Sequence, residues 1–189
     1  DEIYEHIYWG AEPCVSFAAA CPALRERTVT INGVSKGYAM TGWRIGYAGG
    51  PKPLIAAMKK LQGQSTSNPC SVSQAAAVAA LEGDQSCVRE MNRAFRERHD
   101  WIVAALDAIP GFHCLPADGA FYAFPGVTEA MARLGVGDDV AFAERLLREA
   151  EVAVVPGSAF GAPGHIRLSY ACGIETLREA VARIRRITG

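Results

Sequence analysis

No stretch of this 189-residue sequence is apolar for long enough to span a bilayer, because Ala-rich runs such as 75–81 stop at Glu82. Neither sign of charge is in excess: 19 Lys and Arg face 20 Asp and Glu, a formal net charge of −1. That balance leaves no electrostatic footprint for nucleic acid or for an anionic membrane surface. The six cysteines form neither a C-x-x-C pair nor a zinc spacing. With ample apolar content beside them they read as reduced thiols of a cytosolic, hence cytoplasmic, protein rather than a disulfide framework. The four histidines, His6, His99, His113 and His165, lack metal spacing and read as incidental, so no metal site is expected. Internal repeats, low-complexity tracts and a signal peptide are all missing. So is an initiator methionine: the chain opens on Asp1-Glu2-Ile3-Tyr4 as though entered in the middle of a fold.

What is present is apolar and alternates in period. Half the residues are hydrophobic, enough for one sizeable core or two small ones. Residues 1–9 read as a strand end running into a loop. Thr28–Ile31 is a short β-branched strand closed by the Asn32-Gly33 turn, and Trp43–Ala48 a second strand closed by Gly49-Gly50-Pro51. Helices are predicted from Pro53 to about Leu61, from Ser71 to Leu81 with Gly83 as its stop, and over 85–109, where Val88, Met91, Phe95, Ile102 and Leu106 recur at helical spacing. Beyond Pro110-Gly111, strands are predicted near 112–115, 120–124, 152–155 and 165–170, with helices near 139–150 and 175–187. That is an α+β arrangement of a few helices on a small sheet.

The chemistry concentrates in Ser35-Lys36-Gly37-Tyr38-Ala39-Met40-Thr41-Gly42-Trp43-Arg44-Ile45-Gly46-Tyr47. Lys36 lies on the connection between the first two strands, and an amine in apolar surroundings has a lowered pKa and attacks carbonyls to form a Schiff base. Arg44, just inside the second apolar run, offers a planar fork suited to phosphate. One cofactor asks for both groups at once: pyridoxal 5′-phosphate, an aldehyde at one end and a phosphate at the other. The other lysines, Lys52, Lys59 and Lys60, sit around a predicted helix as a solvated face. Arg167 stands in the apolar segment Gly164–Ala171, which holds no acidic residue. Its partner is therefore an anionic ligand or an Asp or Glu from elsewhere in the chain.

The Ser35–Tyr47 string closely resembles the cofactor-lysine segment of the class I, aspartate-aminotransferase-like aminotransferases, within the fold type I pyridoxal-phosphate enzymes. The resemblance runs over nearly the whole chain. It implies that Lys36 binds the cofactor covalently and moves a proton, and that Arg44 holds its phosphate. It further implies that Asp1 pairs with the pyridine nitrogen, that Tyr4 donates to the ring oxygen, and that Arg167 grips the substrate α-carboxylate. Asp118–Tyr122 and Val154–Gly161 resemble segments at the site entrance, where Gly119 and Gly157 serve turns or close packing; Phe121 and Phe160 are assigned to the core. Ser65–Pro69 resembles a loop reaching a neighbouring subunit's site, although a polar capping loop fits it nearly as well. Gly33 departs from the pattern, since many relatives carry a phosphate-contacting serine there, and whether Ser35 replaces it is open.

The implied fold is α/β: residues 1–84 are the end of a large cofactor-binding domain and 85–189 a complete small α+β C-terminal domain. The chain is thus expected to be the C-terminal portion of a larger aminotransferase, inactive by itself. The whole enzyme is expected to be a homodimer moving an amino group between an aspartate-like L-amino acid and a 2-oxo acid such as 2-oxoglutarate. Two alternatives stand: a lyase of the same fold using the same residues, and a non-catalytic, cofactor-sensing aminotransferase-like domain.

Overall fold

Strand β1 (Thr30–Gly33) pairs antiparallel with β2 (Gly46–Gly49) in the computed structural model, which describes residues 1–189. The register sets Ile31 opposite Ala48 and Gly33 opposite Gly46. With no side chain on either residue of that last pair, the backbones close tightly. A Cβ on Gly33 would lie 2.8 Å from the Ile45 carbonyl oxygen, so glycine is required there. Both strands begin later than the sequence pattern suggests. Trp43, Ile45 and Tyr47 alternate like a strand, but Thr41–Trp43 is a 3-10 turn and Arg44 closes it in the left-handed region at φ 54°, ψ 48°. Residues 1–9 are turns rather than a strand end: the Glu5 N–H donates to the Glu2 carbonyl, and the Ile7 N–H to that of Tyr4.

This hairpin belongs to the first of two compact units, Asp1–Asn92 and Arg93–Gly189. The first unit also holds the single-turn helix α1 (Phe17–Ala20) and the helices α2 (Lys52–Ser65) and α3 (Ser71–Glu82). Its core is small, built on Val34, Ile45 and Ala77 with Tyr38 and Met40 packed against them. Helix α2 buries no residue, and α3 buries only Ser73 and Ala77. Helix α4 (Ser86–Asp107) starts where the sequence places the small domain, and the two units divide further along it, at Asn92.

The second unit centres on a three-stranded antiparallel sheet of β3 (Tyr122–Ala123), β4 (Val155–Pro156) and β5 (Ile166–Ser169), in the order β3-β5-β4. The strand expected over 112–115 is reduced to a bridge between His113 and Gly126. That expected over 120–124 shrinks to two residues, because Ala120 takes a left-handed φ of 63°. Helices α5 (Thr128–Arg133), α6 (Asp139–Arg145) and α7 (Ile174–Thr188) complete the unit. Helix α6 continues into a π-helical turn, Leu146–Ala150, which left-handed Glu151 ends. Helix α7 buries Leu177, Val181, Ile184 and Thr188, one face at helical spacing, as its sequence predicts. Phe112, Phe142, Leu146, Ile166 and Tyr170 are fully buried in the core. Along β5, Ile166 and Leu168 are buried while Arg167 and Ser169 point to the other face, the ordinary period of two. No helix is long and apolar enough to cross a membrane.

Candidate functional site

Four of the five residues singled out by the sequence lie in the first unit. Buried Val34 anchors the chain as it leaves β1, and Lys36 follows, half-buried, on a turn whose Ala39 N–H donates to the Lys36 carbonyl at 3.1 Å. The N-terminal segment packs along the same strand. The Glu2 N–H donates to the Ile31 carbonyl at 2.8 Å, and Asn32 Nδ2 to Glu5 Oε1 at 2.6 Å. His6 meets Tyr38 edge to face at 5.4 Å, and a Cβ on Gly37 would strike the His6 ring at 2.9 Å. These contacts hold the segment carrying Asp1 and Tyr4 against β1 and the lysine turn. Asp1 is exposed, its Oδ1 accepting from the Ile3 N–H at 3.0 Å, and Tyr4 is half-buried.

Arg44 is exposed at the mouth of the hairpin. Its left-handed backbone folds the side chain back so that Nη1 donates to the Thr41 carbonyl at 2.8 Å. Tyr38 donates its hydroxyl to Gln85 Oε1 at 3.0 Å, and burial first, then the Glu5 carboxylate, pushes its pKa up. The unit therefore offers an amine, a guanidinium, a carboxylate and a phenol from two adjoining segments. That donor set fits a phosphorylated pyridine aldehyde: amine to aldehyde, fork to phosphate, carboxylate to ring N–H, phenol to ring oxygen.

The fifth residue, Arg167, is in the second unit on the central strand. Its guanidinium carbon lies 4.3 Å from the Tyr122 ring centre and 4.4 Å from that of Phe160. All the chain's ion pairs are made by other residues, so the intrachain carboxylate partner considered from the sequence is not there. Phe160, assigned to the core by its sequence, is 49% exposed and stands on this arginine. Phe121 is half-buried and stacked on Phe95 at 5.4 Å.

Two further residues escape a linear reading. Asp139, the first residue of α6, is buried, and its Oδ2 accepts from the Ser158 N–H at 2.6 Å. Burial pushes its pKa up, but hydrogen bonds from Ser158, its own N–H and the Gly164 N–H outweigh this and hold it below the usual carboxylate range. Its neighbour Asp138 takes the helix-capping role, accepting from the Ala141 N–H, which masks the other function of the pair. His99, far from incidental, is buried and its Nε2 accepts from the Ala117 N–H at 2.9 Å. The Tyr170 hydroxyl donates to the Ala120 carbonyl at 3.2 Å, so the loop entering β3 is held at both ends. A cavity of about 290 Å³ in this unit, floored by Ile102, Leu168 and Val181, contains none of the predicted site residues. No three His, Cys, Asp or Glu side chains converge as metal ligands would.

A family model described as aminotransferase class I and II matches residues 1–184. The chain is 54% identical to the aspartate/prephenate aminotransferase of Nitrosomonas europaea, the match covering 97% of this chain and 48% of that protein. It is 52% identical to the aspartate aminotransferase of Geobacillus stearothermophilus, covering 98% and 47%. Among solved structures, the aspartate aminotransferase from Rhizobium meliloti superposes with a TM-score of 0.93 at 47% identity, over 100% of this chain and 48% of that one. The aromatic aminotransferase from Pyrococcus horikoshii does so at 0.90 and 38% identity, over 99% and 49%. The chain spans about half the length of the curated relatives it matches.

Proposed function

Because this chain belongs to the class I and II aminotransferase family, we propose that it is the C-terminal portion of a pyridoxal-phosphate-dependent aminotransferase acting on an aspartate-like amino acid and a 2-oxo acid such as 2-oxoglutarate. The observation that carries the reading is the meeting, in one unit, of the half-buried Lys36 turn with the segment bearing Asp1 and Tyr4. Bound there, the cofactor supplies an electron sink for the charge left when a proton leaves the substrate Cα.

The chain's own residues do the rest. Lys36 Nζ would hold the cofactor through its aldehyde and, when free, would carry the proton from the substrate Cα to the cofactor carbon that bore the aldehyde oxygen. Arg44 binds the phosphate through the donors it does not spend on Thr41. Asp1 accepts from the ring N–H and keeps that nitrogen protonated, and Tyr4 donates to the ring oxygen. Arg167, with no carboxylate of its own, binds the substrate α-carboxylate through the edge of its fork. The 1–84 and 85–189 segments act as the end of a large domain and a small domain. The whole enzyme is an isologous dimer, to which the Ser65–Pro69 loop contributes at the neighbouring site. All six cysteines are free thiols, which supports a reducing, cytoplasmic setting.

The test is chemical. The full-length protein, loaded with pyridoxal phosphate, is reduced with borohydride, digested and mapped by mass spectrometry. The expected result is one phosphopyridoxyl group, on Lys36, and glutamate plus oxaloacetate from L-aspartate and 2-oxoglutarate. Lys36→Ala should lose the adduct and at least about 10³-fold in turnover, since both the attachment point and the proton carrier are gone. An adduct on another lysine, or release of free ammonia with no glutamate formed, would overturn the reading.

A further inference from the structure

A guanidinium has two chemically different approaches. Its flat faces attract aromatic rings and its edge forms paired hydrogen bonds to a carboxylate. Around Arg167 two aromatic rings are already in place. Tyr122 stands at 4.3 Å and Phe160 at 4.4 Å, and no acidic side chain of the chain lies within ion-pair distance to compete for the edge. We infer that Tyr122 and Phe160 are positioning residues: they clamp the Arg167 guanidinium so that its edge is presented to the carboxylate of either substrate, and they thereby set the affinity for both. The inference rests on the assignment of Arg167 to the substrate α-carboxylate.

The two rings reach the arginine from separate elements, each held independently. Tyr122 is on β3, opposite Ser169 in the β3–β5 register, which puts it diagonally across from Arg167 on the same face. Its approach is fixed upstream by the His99 and Tyr170 hydrogen bonds to the loop over 117–120. Phe160 ends the 3-10 turn Gly157–Phe160. That turn is tied to β5 by the Gly157 N–H donating to the His165 carbonyl at 2.7 Å, and to α6 by Asp139 on the Ser158 N–H at 2.6 Å. A Cβ on Gly157 would lie 2.8 Å from that same His165 oxygen, so the close approach needs glycine. Phe124, stacked on His165 at 5.2 Å and edge-on to Phe160 at 6.2 Å, backs the second ring.

An unclamped arginine loses more side-chain freedom when it binds a carboxylate, and its plane is not preset. The cost of losing a ring therefore falls on binding, in equal measure for two substrates that share only the α-carboxylate, and not on the chemical step.

The experiment is steady-state kinetics of the full-length enzyme with L-aspartate and 2-oxoglutarate, on Tyr122→Leu, Tyr122→Phe, Phe160→Leu, Phe160→Tyr and Arg167→Lys. Each Leu variant should raise both KM values by about three- to thirtyfold, the range of one cation–π contact, and leave kcat within about twofold. Tyr122→Phe and Phe160→Tyr keep a ring and should restore wild-type KM, which a role in folding alone would not require. In the Arg167→Lys background the Leu substitutions should add less, because an ammonium still contacts a ring but has no plane to clamp. Unchanged KM in the Leu variants, alongside a raised KM in Arg167→Lys, would discard the clamp and keep the α-carboxylate assignment. Unchanged KM in Arg167→Lys would discard that assignment, and the clamp with it.

Discussion

Cys70 and Cys114 share a chain and differ in almost everything that governs a thiol. Cys70 is exposed at the N-terminal boundary of α3, where the backbone N–H groups of Ser73 and Val72 stabilise the thiolate and lower its pKa. Cys114 is buried, and burial first, then the Asp107 carboxylate, pushes its thiol up to about 11. Iodoacetamide at neutral pH should therefore label Cys70 in the folded chain and reach Cys114 only after denaturation, as read by peptide mass spectrometry. Equal labelling of the two in the folded state would contradict these environments. Asp139 gives a second residue-scale test. Its folded pKa is depressed, so it stabilises the fold at pH values above its unfolded value of about 3.9, and that contribution disappears as pH falls through the folded value. Asp139→Asn should be less stable near neutrality, and its stability should decline less steeply on acidification than that of the parent, in urea titrations at a series of pH values.

Helices and strands of this chain differ in how far local pattern controls them. The α7 pattern of Leu177, Val181, Ile184 and Thr188 repeats at 3.6 residues and is buried as a stripe, so the element follows from its own residues. Ile184→Ala, at a fully buried position, should cost about 2–5 kcal/mol in urea unfolding, whereas exposed Arg186→Ala should stay within about 0.5 kcal/mol. The β2 run misleads because alternation of apolar residues does not reveal a backbone reversal inside it. The left-handed Arg44 costs roughly 1–2 kcal/mol and is accompanied by the Nη1 hydrogen bond to Thr41, a local arrangement with no hydrophobic signature. Strands of two to four residues, as all five are here, contain too few periods to be bounded from sequence.

Across the chain, apolar burial is uneven. Leu54, Met58 and Leu61 on α2, Val72, Val78 and Leu81 on α3, and Ile31 and Tyr47 on the hairpin are all exposed, while the second unit exposes Leu115, Phe124, Val140, Leu147 and Phe160 and buries a continuous core that includes Phe112, Phe142, Leu146, Ile166 and Tyr170. A two-stranded sheet with so few buried residues has little to stabilise it. Hydrogen exchange on residues 1–189 alone should show faster exchange in α2 and α3 than in α7, and the chain should bind an apolar dye that the full-length protein does not. Equal protection of the two units would mean that the first is stable without additional polypeptide. The curated relatives are about twice as long as this chain.

Lys36 and Arg44 are proposed from linear order because an amine and a guanidinium fork a few residues apart on one connection form a local pattern. The lone charge of Arg167 was likewise legible, since an arginine in an apolar strand demands an explanation wherever the strand lies. Its surroundings were not. Tyr122 and Phe160 come from distant segments and meet at Arg167 only through the β3–β5 pairing and through the turn that Asp139 holds. A side chain's type is written in the sequence, but which face of a guanidinium it covers depends on strand register and on long-range hydrogen bonds, and these exist only once the unit has folded.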